Sequence, residues 1–247
     1  MIKTYTWQEK LPEVKRILDE KYPGWQVSDL LTPGKAWHHT LLLNKDGQKK
    51  IVHLDTKTFV CSEGSSMLDK LANAMKQLPV LLENRSNWDS LIVNRRKPHT
   101  YRVFTYLPDG CRICLHKFNP CDTHEAFLHP HPWSGAFIVL SGRYLMEVAY
   151  STTREAMPEH VMKLELTEGS KYEITSPLTW HSVTPLEVTY TVMVNEPSWD
   201  ANVAHKDVKT TKGKDLDKMP EEELKEHLDV FRNLVGYYNG VFGGKHV

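Results

Sequence analysis

Hydrophobic and polar positions follow two different periods along this chain, one helical and one that of strands. Leu11, Val14, Ile17 and Leu18 recur at helical spacing, and Tyr22-Pro23-Gly24 closes the pattern, which predicts a first helix. Strand-like runs follow over 25–31, 37–44 and 49–55. The last two flank Lys45-Asp46-Gly47-Gln48, a hairpin signal. Met67, Leu68, Leu71, Met75 and Leu78 then share one helical face, with Ser65 or Ser66 as cap and Pro79 expected to break the helix. From Thr100 the period shortens to that of strands, with runs at 101–106, 111–118, 136–140, 144–150, 161–166, 172–175 and 188–194. Pro108-Asp109-Gly110, Ser141-Gly142, Glu168-Gly169 and Thr184-Pro185 punctuate them, the signature of a sandwich or barrel. Pro220 opens a last helix on whose apolar face lie Leu224, Leu228, Phe231 and Val235, and 240–247 reads as a loose tail. The expected organisation is an α+β segment with a helical connector over 1–98, a β-rich domain over 99–200, and a basic loop plus helix over 201–247.

Composition narrows the function classes. The 247 residues carry 31 Lys+Arg and 31 Asp+Glu, so a general nucleic-acid surface, which needs a basic excess, is not expected. No apolar run reaches the ~20 residues of a membrane span, and no signal peptide is evident, so no membrane role is expected. Four cysteines in a chain of this length do not make a disulfide framework and suggest a reducing, cytoplasmic setting. The 13 histidines are the unusual feature.

His129-Pro130-His131 places two imidazoles two residues apart, on one face if the segment is a strand. His181, between strand-like segments fifty residues on, is a candidate third ligand of a single metal ion with open coordination positions. The alternative is that all three are hydrogen-bonded structural histidines.

His129, His131 and Gly142, followed by Gly169, Pro177 and His181, resemble the two ordered motifs of the cupin superfamily across 100–197. The resemblance implies a mainly β fold: a cupin-type antiparallel β-barrel (double-stranded β-helix) carrying an N-terminal α+β layer and a C-terminal helix. It implies a divalent metal, Fe(II) first and Zn or Mn as alternatives, held by His129, His131 and His181. The chain departs from the pattern where Thr123 replaces the opening glycine, Gly135 stands at the glutamate position and the second motif lacks its inner glycine. Either three histidines suffice, or a carboxylate such as Glu125 or Glu147 substitutes, or metal is lost. Three-histidine thiol dioxygenases resembling cysteine dioxygenase offer a partial parallel. They carry an arginine on a strand ahead of the histidine pair, where this chain has Arg102. Their Ser-His-Tyr relay is absent here, Thr189, Thr191 and Met193 occupying that strand.

Arg102 is the candidate catalytic anchor for a substrate carboxylate or phosphate, with Arg112 its substitute should a β-bulge reverse the strand parity. Trp133, Phe137, Tyr144 and Trp180 are candidate walls of an aromatic pocket. Cys114 and His116 share a strand face, so either is a candidate for the barrel interior, a core or rim position being the alternative for His116. Cys111, Cys114, Cys121 and His124 have zinc-knuckle spacing, but residues 111 and 114 on one strand face opposite ways, which argues against zinc. Arg95-Arg96-Lys97 and the lysines of 206–218 read as solvated charge, and His38-His39 as structural. The function these features favour is a dioxygenase acting on a small anionic acid or thiol. A redox-neutral sugar isomerase or epimerase, and a non-catalytic ligand-binding cupin, are the alternatives. Homodimers are common in that superfamily, so a second copy is the one macromolecular partner expected.

Overall fold

The computed structural model describes residues 7–30, 38–55, 60–64, 66–94, 96–107, 110–153, 156–197 and 216–242. They form two compact units, Met1–Ser66 and Met67–Val247. In the first, helix α1 (Trp7–Lys21) lies on a four-stranded antiparallel meander of β1 (Gln26–Leu30), β2 (His38–Lys45), β3 (Gln48–Asp55) and β4 (Val60–Gly64). Val14, Ile17, Leu18 and Tyr22 of the helix bury against Leu41, Leu43, Val52 and Leu54 of the sheet. The β2–β3 turn holds Asp46 at φ 51° and Gly47 at φ 82°, the left-handed pair a two-residue hairpin requires. β4 has no counterpart in the sequence pattern, because Val60-Cys61-Ser62-Glu63-Gly64 shows no clear alternation.

The second unit begins with α2 (Met67–Leu81). Pro79 does not end it. The Leu82 amide still bonds to the Leu78 carbonyl, so one missing donor in the last turn is tolerated. A short 3-10 turn leads to β5 (Asp89–Val93), a strand where a helical connector was expected. Ten further strands follow: β6 (Thr100–Tyr106), β7 (Arg112–Phe118), β8 (His129–Pro130), β9 (Gly135–Ser141), β10 (Tyr144–Tyr150), β11 (Met162–Leu166), β12 (Lys171–Ile174), β13 (Thr179–Pro185), β14 (Thr189–Asn195) and β15 (Leu216–Asp217). Helix α3 (Glu221–Phe242) runs into the segment expected to be a tail. Leu31, Trp37, Ser65, Arg95, Pro108, Asp109, 206–215 and 243–247, with the side chains of Leu11, His38 and His39, lie outside the described residues.

The strands form two antiparallel sheets, one of order β12-β9-β14-β7-β6-β5-β15 and one of order β11-β10-β13-β8. Strand outweighs helix, as expected for a mainly β chain. The single closed barrel expected from the sequence is not what the described residues form. Those of the second unit build two sheets, each ending in edge strands.

Alternation along the larger sheet explains its burial on both faces. Val103, Ile113, Leu115, Ile138, Leu140, Val192 and Val194 pack against α2 and α3, where Leu71, Leu78, Phe231 and Val235 complete the core. The intervening positions Phe104, Cys114, Phe137 and Met193 face the other way, with Trp133 and Ile174. Val139 of this sheet meets Tyr144, Met146 and Val183 of the smaller one. Cys111 and Cys114 accordingly fall in separate clusters, and cysteines 111, 114 and 121 form no disulfide among the described residues.

The chain passes from β9 to β10 through Gly142 at φ +82°. A Cβ there would sit 2.6 Å from the Val188 carbonyl oxygen and 2.8 Å from Thr189 Oγ1. Gly142→Ala therefore combines a left-handed backbone with a clash against main chain. We expect it to cost on the order of 3 kcal/mol, read as a lower urea midpoint with an unchanged m-value.

Candidate metal centre

His129 and His181 are brought together by strand pairing: they sit opposite each other in the β8–β13 ladder. Opposed residues in such a ladder share a face, so both imidazoles point toward the larger sheet. β8 is only two residues long, so His131 lies just beyond it rather than on the same strand. Its ring still converges, with centroids 5.0 Å from His129 and 4.6 Å from His181. One nitrogen from each of the three lies within 4.8 Å of the others, so the three form one candidate ligand group for a metal ion.

The hydrogen bonds set which nitrogen faces inward. His129 Nδ1 is 2.9 Å from the Phe127 carbonyl oxygen, so Nδ1–H donates there and Nε2 keeps its lone pair. His131 Nε2 and His181 Nε2 approach to 2.6 Å. Two neutral ring nitrogens that close share a proton, one ring donating N–H to the lone pair of the other, and binding one ion would require them to move apart. Burial holds all three imidazoles below the ordinary value of 6.5, and for His131 the neighbouring His181 adds to it. At neutral pH the trio is uncharged, the form that binds metal. His181 Nδ1 is buried without a partner, so packing rather than a second hydrogen bond fixes that ring. The all-imidazole donor set fits a borderline divalent ion such as iron or zinc better than the harder manganese.

Because the folded state disfavours protonating these rings, the unfolded chain takes up protons first as pH falls. Stability from this source is complete above the unfolded imidazole value of 6.5 and is lost as pH drops through the lower folded values. Metal affinity should follow the same sign. We expect it to be level from pH 8 to about 6.5 and to fall only below, as measured by competition with a chromophoric chelator.

Neither alternative carboxylate reaches the trio. Glu125 is paired with Lys97 Nζ at 2.7 Å and accepts from the Asp122 amide at 3.1 Å. Glu147 lies on the other face of β10, bound to Lys163 at 3.0 Å and accepting from Ser182 Oγ at 3.2 Å. Gly135, at the position where a glutamate was looked for, abuts an indole instead. A Cβ there would be 3.1 Å from Trp133, whose ring packs on His131 at a 35° tilt with a centroid separation of 4.0 Å. The cysteines and His124 join no metal-ligating group among the described residues.

The histidines open into a cavity of about 410 Å³ between the sheets. Arg102 lines it, and so do Trp133, Phe137 and Tyr144. Trp180 does not: its neighbour His181 points in, so strand alternation turns the indole to the opposite face. Arg112 shares the inward parity of Arg102 but lies farther along the sheet. There it is buried against Asn195 Oδ1 at 3.1 Å and the Phe104 ring at 5.8 Å.

Several residues of the cavity were missed or undervalued in the sequence. His116 is a buried wall residue opposite Arg102 in the β6–β7 ladder. Arg102 Nε donates to His116 Nε2 at 2.9 Å, which leaves the His116 proton on Nδ1, facing Thr191 Oγ1 at 3.4 Å. Burial, then the charge of Arg102, keeps this imidazole neutral. Tyr172 stacks on Phe137 at 4.6 Å and pairs with the Tyr144 hydroxyl at 3.1 Å. The Phe127 ring lies parallel to His129 at 5.2 Å, and the Arg96 guanidinium lies over the Phe127 ring at 3.9 Å. Among the described residues no Asp or Glu lines the cavity, whereas Arg96, Lys97 and Arg102 do. Three cationic side chains thus line it, one of them, Lys97, paired with Glu125.

Neither a protein-family model nor a curated protein matches the sequence. Among solved structures the chain is similar to hydroxypropylphosphonic acid epoxidase from S. wedmorenis, with 13% identity and a TM-score of 0.35 over 43% of this chain and 55% of that one. Similar too is Fe(II)-HppE with an alternative substrate, at 15% identity and a TM-score of 0.34 over 43% and 55%. The capsular polysaccharide assembling protein CapF from Staphylococcus aureus matches at 18% identity and a TM-score of 0.35 over 45% and 29%. The chain thus spans about half the length of the first of these. Likenesses of this size carry no activity across, so the chain's own side chains must decide the chemistry.

Proposed function

We propose that the protein is a mononuclear metal-dependent enzyme of cupin type that oxidises a small anionic organic acid or thiol with dioxygen. The observation that carries this reading is the convergence of three neutral imidazoles in a cavity walled by aromatic rings, lined by Arg102 and free of described carboxylates. His129, His131 and His181 would hold the metal, Fe(II) first and zinc or manganese as alternatives. A divalent iron, when bound, supplies the one-electron steps that amino-acid side chains cannot. A reducing, cytoplasmic location would suit both ferrous iron and the cysteine thiols.

The chain's own residues then bind and orient. Three neutral ligands leave the centre's positive charge uncompensated, which favours an anionic substrate group beside it. The Arg102 guanidinium pairs with a second anionic group, and its Nε bond to His116 fixes the plane of the fork. Trp133, Phe137 and Tyr172 exclude water around the bound molecule. The Tyr144–Tyr172 pair holds two hydroxyl protons and spends one within itself, so the other is available to a substrate oxygen. Burial keeps both phenols protonated, Tyr172 well above its ordinary range.

The same two phenols favour a second reading, a redox-neutral isomerase or epimerase in which a hydroxyl shuttles a proton. The experiment that separates the two is oxygen uptake by the Fe(II)-loaded protein over a panel of thiol acids, hydroxy acids and sugar phosphates. We expect stoichiometric uptake with at least one anion and no turnover in its absence. Turnover of a sugar phosphate under anaerobic conditions would establish the isomerase instead, and metal-loaded protein that binds anions without converting any would mark a binding protein.

A further inference from the structure

β11 is the edge of the smaller sheet, paired with β10 on one side and with no other strand among the described residues. Its sequence Met162-Lys163-Leu164-Glu165-Leu166 alternates strictly. Pairing with β10 puts Met162, Leu164 and Leu166 on the face of Val148, Met146 and Tyr144, which is the face turned to the core. Leu166 packs there, but the row runs out past the covered region, leaving Leu164 37% and Met162 60% exposed. Tyr150, Met157 and Val161 nearby are exposed as well. An edge strand normally carries some device against pairing, such as a proline, a bulge or an inward charge. This one has no proline, bulge or inward charge; its protection is limited to its five-residue length and the outward charges of Lys163 and Glu165, which a second copy can pair.

We infer that β11 pairs with β11 of a second copy of this chain, antiparallel about a two-fold axis through Leu164. In that register Leu164 meets its own copy and Met162 meets Leu166, extending the apolar row across the junction. On the other face each Lys163 lies opposite Glu165 of the second copy, so both cross-strand pairs unite opposite charges. The strand is complementary to itself in polarity and charge. The two four-stranded sheets become one of eight strands, and the unpaired backbone edge is satisfied by an isologous contact. The inference does not depend on what the metal site does.

Sedimentation of the full chain tests it. Wild type should be a dimer at tens of micromolar. Lys163→Glu and Glu165→Lys each place two like-charged pairs across the junction and should weaken the dimer about tenfold or more, with circular dichroism and thermal midpoint checking the fold. Mixing the two single variants, or combining them in one chain, restores opposite charges and should restore the dimer. Loss of the pairs within one chain, Lys163 to Glu147 and Arg143 to Glu165, would instead make the combined variant the worst of the three. A monomeric wild type, a dimer indifferent to both charges, or no rescue on mixing would each overturn the inference. In the monomeric case the apolar row is covered by another part of this chain or stays bare.

Discussion

His131→Ala should reduce bound metal from about one equivalent per chain to less than about a tenth. His131 is one corner of a nearly equilateral group: its ring centroid is 4.6 Å from His181 and 5.0 Å from His129, which are themselves 5.0 Å apart. Removing it leaves two imidazoles, one of them without a second hydrogen bond. It also strips the Trp133 ring of its packing partner. Emission spectrometry on protein desalted after loading reads the result directly. His124→Ala and Glu125→Gln serve as controls and should keep full occupancy, because neither belongs to the group. Metal lost from a control but not from His131→Ala would place the centre elsewhere.

The second large effect is expected at Arg102. Charge-assisted hydrogen bonds contribute about 1.5–3 kcal/mol, so Arg102→Ala should weaken anion binding to the metal-loaded protein by roughly ten- to a hundredfold. Arg102→Lys keeps the charge but loses the planar fork and the Nε bond to His116, and should fall between the two. Metal content should stay at the wild-type level in both, since Arg102 is not a ligand. Calorimetric titration with a carboxylate and its neutral amide analogue separates anchoring from general damage. The amide should bind all three proteins alike. Equal losses for both ligands would mean that Arg102 shapes the cavity without pairing to charge.

Much of the site was legible in the sequence because strand geometry is so regular. The inward parity of Arg102, Phe137 and His181 follows from alternation alone, and the predicted runs near 101–106, 111–118, 136–140 and 144–150 match strands within a residue or two. Alternation should equally have excluded Trp180 from the cavity, as the neighbour of an inward histidine. His116 was undervalued because its role comes from Arg102 lying opposite it, a cross-strand register that one sequence does not display. Tyr172 depends in the same way on pairing with Phe137. β5 was hidden behind the helix before it, since Asp89–Val93 is short and follows a 3-10 turn. The division into two sheets rather than one closed barrel is a matter of which edges stay unpaired, and hydrophobic periodicity carries no information about that.

The most direct test of the three-histidine centre is the metal content of the wild-type chain, purified without chelator, loaded anaerobically with Fe(II), Zn(II) or Mn(II) in turn, and desalted. One divalent ion per chain, retained for at least one of the three metals, is the predicted result. Protein that keeps none of them at neutral pH while remaining folded would contradict the account, and His129, His131 and His181 would then be a buried cluster joined by a shared proton.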